Sequence, residues 1–225
     1  MDRAYLVTGT GTGAGKTYVT SCLLKRSLEI GYDTAVLKPV ETGCRLGPKG
    51  FHLPSDGSTY LSLGIGGKGC SLEDICLYTY GEPLSPNIAA RMSGHFPDLT
   101  RIISTIEDLS REKDLLFVEG AGGLLVEILD GYTFHDLARD AGMGLLLVAP
   151  NRLGVLNQVA LNMKFIESHG GEMKGIILND VEEPSGPAQF HNPEEIRRLY
   201  GDRFLLHLSH GAPSVTDDII HQLIA

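Results

Sequence analysis

Six short apolar runs punctuate the chain: Tyr5 to Thr8, Thr34 to Leu37, Leu115 to Val118, Leu145 to Ala149, Gly175 to Leu178 and Phe204 to Leu208. Each is too short for a helix and largely apolar at consecutive positions, as expected of a strand buried on both faces. Helical spacing separates most of them. Tyr18 to Ile30 sets Val19, Cys22, Leu23 and Leu28 for burial and stops at Gly31. Strands alternating with helices predict βαβ units, and so a three-layer α/β fold in which a mainly parallel sheet carries helices on both faces. Ligands of such sheets sit at the carboxyl ends of the strands, so the residues just past each run map one site. Here they are Gly9 to Thr17, Lys38 to Gly43, Glu119 to Gly123, Pro150 to Gly154, Asn179 to Asp180 and Ser209 to Pro213.

Between Arg45 and Gly81 the pattern is irregular and rich in glycine, with Asp56 placed to open a helix through Ser62. This stretch reads as an excursion over the active face rather than a second domain. At 225 residues, with no internal repeat and no low-complexity tail, one domain spanning 1–225 is expected. The net charge of −9 argues against a nucleic-acid partner, since 19 Lys and Arg are scattered among 28 acidic residues instead of forming a basic face. Anionic substrates must then be met locally, by loop amides and single lysines. The longest apolar run, Leu145 to Pro150, is too short to span a bilayer, and Met1-Asp2-Arg3-Ala4 leads straight into a strand without an export signal. A soluble, cytoplasmic protein with no membrane partner is expected. Cys22, Cys44, Cys70 and Cys76 lack zinc-ligand spacing and read as reduced packing thiols, and His207 and His210 as surface or strand-end histidines.

The first strand breaks into Gly9-Thr10-Gly11-Thr12-Gly13-Ala14-Gly15-Lys16-Thr17. This is a phosphate-binding loop: small residues let backbone N–H groups curl around a triphosphate, Lys16 reaches the outer phosphates, and the Thr17 hydroxyl can ligate Mg²⁺ at the positive end of the next helix. Its spacing, Gly9-x5-Gly15-Lys16-Thr17, carries one residue more than the usual x4 pattern, and an ordinary glycine turn between strand and helix is the alternative. Leu115-Leu116-Phe117-Val118-Glu119-Gly120-Ala121-Gly122-Gly123 places a carboxylate at the tip of a buried strand. Mg²⁺ beside a nucleotide takes one or two carboxylates plus phosphate oxygens, which suits Glu119 and, as a second acid, Asp56; the latter could equally be a helix cap. In Lys38-Pro39-Val40-Glu41-Thr42-Gly43 the lysine ends an apolar strand and can stabilise developing negative charge in the mouth of the sheet, a solvated strand-end lysine being the alternative. Asn179-Asp180 can read a base, because an Asn amide accepts from the adenine N6 amine and donates to N7, though Asn-Asp is equally a common turn opener; with no guanine-selecting Asn-Lys-x-Asp run, ATP is the expected nucleotide.

Taken together these motifs resemble the dethiobiotin synthetase family, ATP-dependent ligases of P-loop NTPase type. The likeness is carried by Val7-Thr8-Gly9-Thr10 with Gly15-Lys16-Thr17, Lys38-Pro39-Val40 with Thr42-Gly43, Ser85-Pro86, Val118-Glu119-Gly120-Ala121-Gly122-Gly123, Leu153-Gly154 with Asn157, and Asn179-Asp180. The x5 loop is itself a property of that family. The resemblance implies carboxylation and ring closure of 7,8-diaminononanoate with CO₂ to dethiobiotin, releasing ADP and phosphate, with Mg²⁺ as cofactor and ATP as co-substrate. It implies that Lys16 holds the transferring phosphate and Lys38 stabilises the carbamate and its anhydride. Thr17, Asp56 and Glu119 would ligate the metal. Gly13, Ala14, Gly15, Tyr18, Gly120, Ala121, Gly122, Asn179 and Asp180 would complete the nucleotide site. Thr12 and Thr42 would line the substrate region, with Leu153, Gly154 and Asn157 binding the far carboxylate across the interface of a twofold homodimer.

Two departures stand out. Thr42 replaces a common Ser, and His207-Leu208-Ser209-His210 stands where the family often has Gly-x-Ile-Pro, which puts base selectivity in question. Two rivals share the phosphate loop. An amidating synthetase would need a glutaminase domain, for which this chain has no length and no cysteine in a nucleophile context. A nucleotide-switched dimer of the partitioning type would carry an extra lysine early in the loop, absent from Gly9-Thr10-Gly11, and the tail Thr216 to Ala225 lacks the basic face of a membrane helix.

Overall fold

The computed structural model describes residues 3–47, 50–64, 70–211 and 214–225. Of the segments singled out above, Met1, Asp2, Ala212, Pro213 and positions 48–49 and 65–69 of the excursion lie outside these described residues. The elements run β1 (Ala4–Gly9), α1 (Lys16–Glu29), β2 (Thr34–Glu41), β3 (Arg45–Leu46), β4 (His52–Leu53), α2 (Ser55–Ser62), α3 (Leu72–Ile75) and β5 (Cys76–Thr79). They continue through α4 (Pro86–Ser93), α5 (Leu99–Glu112), β6 (Leu115–Gly123), β7 (Glu127–Leu129), β8 (Tyr132–Thr133), α6 (Phe134–Asp140) and β9 (Gly144–Pro150). The last are α7 (Val155–His169), β10 (Glu172–Asn179), α8 (Pro187–Tyr200), β11 (Phe204–Leu208) and α9 (Asp217–Ile224).

Seven strands, all paired in parallel, form one sheet in the order β11-β10-β9-β1-β6-β2-β5. Because side chains alternate across a strand, each central strand feeds two apolar layers. Leu6, Leu116, Val118 and Leu145 pack with Ile102, Ile106 and Leu137 of α5 and α6 on one face, which continues as Leu147 and Ala149 under α7 and α8. Tyr5, Val7, Leu115, Phe117, Leu146 and Val148 pack with Leu23, Tyr60, Ile220 and Leu223 of α1, α2 and α9 on the other. The expected three layers are therefore present. After β1 the chain crosses to β2 on one side and returns through β6, then builds β9 to β11 on the other. The reversal falls at β1, and the loop leaving it opens into the crevice where such sheets bind ligands.

β2 and β6 extend well past the ends of their apolar runs, so Lys38 and Glu119 stand inside strands rather than past their ends. β2 pairs with β6 from Thr34 to Leu37 and then with β5 from Lys38 to Glu41. Pro39 falls after the ladder to β6 has ended, where its missing N–H costs no bond to that strand. The partner, β5, is a strand the sequence pattern missed, because Cys76-Leu77-Tyr78-Thr79 is short and sits in the irregular excursion. β6 continues through its glycines, and Gly123 pairs back to Gly9. α1 also begins two residues earlier than its apolar pattern, at Lys16, because Gly15 takes the left-handed conformation and acts as its N-cap. The helix expected from Asp56 to Ser62 is α2, with Pro54 as N-cap and Asp56 in its first turn.

Candidate active site

The loop 9–17 can fold this tightly only with glycine at two points. Gly15 has φ 86, and a side chain there would also strike the amide of Asn179; at Gly9 an added Cβ would lie 2.9 Å from the carbonyl oxygen of Gly11 and 3.3 Å from that of Gly122. The loop is tied to the strands beside it by a Thr10 N–H donating to the Val148 carbonyl (2.9 Å) and the Asn179 amide donating to the Ala14 carbonyl (3.1 Å). The N-terminus of α1, with its free N–H groups and positive dipole end, starts from this loop.

A cavity of about 660 Å³ opens here, lined among others by Thr12, Lys16, Thr17, Lys38, Thr42, Asp56 and Glu119. Its polar centre is one connected cluster. The Lys38 ammonium, 3% exposed, donates to Glu119 Oε1 at 2.5 Å and to the Gly120 carbonyl at 3.3 Å, and forms a salt bridge with Asp56 Oδ2 at 2.7 Å. The Thr17 hydroxyl donates to the same Glu119 Oε1 at 3.0 Å, while the Tyr60 hydroxyl donates to Glu119 Oε2. Burial works against the charge on Lys38, but Glu119 and Asp56 outweigh it and hold the ammonium above its ordinary pKa. Burial likewise opposes ionisation of Asp56, and Lys38 with the Thr17 hydroxyl overcomes it, holding that carboxyl below its ordinary value. The phenol of Tyr60 is pushed well up by burial and by the charge of Glu119, so it stays a donor.

Lys16 is the contrasting cation. It is buried, yet among the described residues its ammonium has no hydrogen bond or salt bridge. Burial and the neighbouring charge of Lys38 lower its pKa, only partly offset by Glu119 and Asp56. A buried cation that no carboxylate bonds directly, facing a cavity at a helix N-terminus, is poised for an anion. Asn179 offers a second unmet bond: its Oδ1 is buried and unpartnered, while Nδ2 is engaged with the loop. An exocyclic amine of a base would satisfy it. Thr17, Asp56 and Glu119 together present a hydroxyl and two carboxylates around one point, a donor set that fits Mg²⁺ completed by phosphate oxygens and water.

Thr12, Gly13, Gly15, Ala121 and Gly122 also line the cavity, while Ala14 and Gly120 contribute carbonyls to Asn179 and Lys38. Tyr18 stands half-exposed in the first turn of α1, beside Cys22. Asp180 adjoins the site without facing the cavity. Its carboxylate accepts from the Asn151 amide at 2.6 Å and is bridged to His207 Nε2 at 3.0 Å, which ties that histidine, one residue from the end of β11, to Asp180. Leu153, Gly154 and Asn157 are exposed around the start of α7, with Leu153 at 87%, and do not line the cavity. The residue types alone did not mark Glu41, Tyr60, Pro83, Leu84 or Val126. Glu41 and Tyr60 enter through contacts with groups distant in sequence, and the apolar three are loop residues, Pro83 and Leu84 between β5 and α4 and Val126 just before β7.

A parallel sheet whose first strand feeds a glycine loop onto Lys16 and Thr17 defines a P-loop nucleotide-binding protein. Solved structures share that fold: the ParA family ATPase from Chlorobium tepidum TLS matches with a TM-score of 0.55 at 13% identity, covering 100% of this chain and 90% of that one. The cell division ATPase MinD of Pyrococcus furiosus matches with a TM-score of 0.52 at 17% identity, over 100% of this chain and 97% of that one. At such identities the likeness concerns architecture alone. In sequence, a family model described as an AAA domain matches residues 3–212. The ATP-dependent dethiobiotin synthetase BioD of Anaeromyxobacter sp. (strain Fw109-5) is 34% identical over 208 residues, 92% of this chain and 90% of that protein. The same enzyme of Aquifex aeolicus (strain VF5) is 37% identical over 187 residues, 81% of this chain and 80% of that protein. The chain belongs to the dethiobiotin synthetase family and is an ATP-dependent ligase of biotin biosynthesis acting on small-molecule substrates. No helix among the described residues is long and apolar enough to cross a membrane.

Proposed function

We propose that the protein closes the ureido ring of dethiobiotin from 7,8-diaminononanoate, CO₂ and ATP, with its whole length 1–225 acting as one domain. The observation that carries this reading is the convergence of Lys16, Thr17, Lys38, Asp56 and Glu119 on one cavity. One amine adds to CO₂ and loses a proton, forming an N–C bond and a carbamate anion, for which Lys38 is the buried counter-charge. A carbamate oxygen then attacks the γ-phosphorus of ATP and the bond to ADP breaks; Lys16 and the N–H groups of the loop hold the charge on the moving phosphoryl group. The second amine attacks the carbonyl carbon of the mixed anhydride, the carbon–oxygen bond to phosphate breaks, and the cyclic urea and phosphate leave.

Phosphoryl transfer asks the protein for alignment and charge compensation more than covalent chemistry, which suits a site built of ammonium groups, amides and carboxylates. Held by Thr17, Asp56 and Glu119, Mg²⁺ would neutralise charge on the outer phosphates of ATP. Asn179, with its free acceptor, would take the adenine N6 amine. The apolar wall of Pro83, Leu84 and Val126 suits the methylene chain of the diamine and keeps water from the anhydride. Leu153 and Phe190 are exposed on adjoining segments, joined by the Asn151 amide donating to the Gln189 carbonyl at 2.9 Å. This favours a twofold dimer in which the start of α7 serves the partner's substrate.

The test is phosphate release and dethiobiotin formation with the diamine, bicarbonate and Mg-ATP. The reading expects phosphate release to depend on the diamine and to match product formation. Phosphate release indifferent to the diamine would instead support a nucleotide-switched ATPase.

A further inference from the structure

We infer that Glu41 is a positioning residue of the active site: from β2 it caps the start of α2 and thereby fixes Asp56 beside Lys38. The inference rests on the reading above that Asp56 serves the metal and the lysine. α2 begins Ser55-Asp56-Gly57, and its N-cap is Pro54, whose side chain has no acceptor. The first N–H groups of a helix have no partner within it and are normally met by a polar N-cap side chain. Here they are met from another element. Glu41 Oε1 accepts from the Asp56 N–H at 3.0 Å and the Ser55 hydroxyl at 3.1 Å, and Oε2 accepts from the Gly57 N–H at 3.2 Å and, more weakly, the Cys76 thiol at 3.9 Å.

Glu41 is 4% exposed and has no salt bridge among the described residues. An anion buried without a cation is retained only where oriented N–H groups and a helix dipole replace its water, as they do here. A serine or aspartate at position 54 would cap the helix with less burial. What Glu41 adds is a tie between the strand that carries Lys38 and the helix that carries Asp56. The Lys38–Asp56 bridge at 2.7 Å thus joins two elements already clamped together by a second contact. Asp56 is partly exposed in the first turn of a helix of eight residues, so without that clamp it is the member of the cluster most free to shift.

The test uses Glu41→Gln and Glu41→Ala, each alone and combined with Pro54→Ser, which supplies a local cap at a backbone position already extended. ADP affinity is measured with excess Mg²⁺ and with EDTA, and amide exchange is followed across residues 55–62. The single variants should bind ADP about tenfold more weakly in Mg²⁺, keep their affinity in EDTA and exchange faster at 55–62; Pro54→Ser should reverse most of both effects. Glutamine keeps the volume of the side chain, so it decides the matter if the alanine variant does not fold. Unchanged exchange at 55–62 in Glu41→Gln, an equal loss of affinity in EDTA, or no rescue by Pro54→Ser would overturn the inference, the last pointing to direct contact between Glu41 and substrate. No diamine is present, so failure of the ring-closing reading leaves this test standing. A wild-type affinity indifferent to Mg²⁺ would instead count against the metal role assigned to Asp56.

Discussion

Replacing Lys38 by methionine keeps the stem and removes the charge, leaving Asp56 and Glu119 facing each other in a buried site. Removing one partner of a buried ion pair costs about 3–5 kcal/mol; because Asp56 is 28% exposed and can turn toward water, the lower end, about 3 kcal/mol, applies. For a chain of 225 residues that corresponds to a fall in Tm of roughly 6–12 °C. With saturating Mg-ADP the fall should be smaller, because on the proposed reading a divalent cation held by the same carboxylates would replace the missing charge. Turnover should drop about 10²–10³-fold, the usual effect of deleting one preorganised charge aimed at a developing anion, while ADP affinity changes little. Thermal unfolding with and without Mg-ADP, set beside steady-state rates, reads all three. An equal fall in Tm in both conditions, or matching losses of ADP affinity and turnover, would refute this: Lys38 would then belong to the nucleotide cradle.

Tyr60→Phe removes the donor to Glu119 Oε2 and leaves a buried carboxylate oxygen unmet, so kcat should fall by about tenfold or more, measured at saturating ATP and diamine. Asn179→Ala takes away the free acceptor and the bond to the Ala14 carbonyl; the Kd for ADP should rise about tenfold and the preference for ATP over GTP should shrink, both readable by calorimetry. Burial and the charge of Glu41 push the Cys44 thiol up to about 11, and the same causes push Cys76 up further, so at pH 8 iodoacetamide should label the half-buried Cys22 and Cys70 first, as peptide mass mapping will show. The folded-state pKa of Cys44 lies above its ordinary 9.0, so its contribution to stability is present below that pH and is lost as pH rises toward 11; Cys44→Ala should flatten that decline in an alkaline unfolding series.

The layers, the loop and four members of the cluster, Thr17, Lys38, Asp56 and Glu119, were legible in the sequence because each depends on local pattern. Doubly buried strands read as apolar runs, Gly15 before Lys16 and Thr17 marks a phosphate loop, and Glu119 and Lys38 follow such runs directly. β5 was not legible, since four residues of mixed polarity become a strand only when β2 offers an edge, and the full reach of β2 went unseen with it. Glu41 was hidden for a related reason. A carboxylate after a strand looks solvated until a helix start lacking its own cap is folded against it. Tyr60 showed the opposite ambiguity, because an aromatic residue in a short helix reads as core, and it is core, yet its hydroxyl also ends on Glu119.

Transfer of oxygen tests the central claim most directly. If the carbamate formed beside Lys38 attacks ATP and the second amine later expels phosphate, one oxygen of the CO₂ leaves in that phosphate. Turnover begun with ¹⁸O-labelled CO₂, before exchange with water, should give phosphate carrying one labelled oxygen per dethiobiotin formed. Product accompanied by unlabelled phosphate would contradict the account.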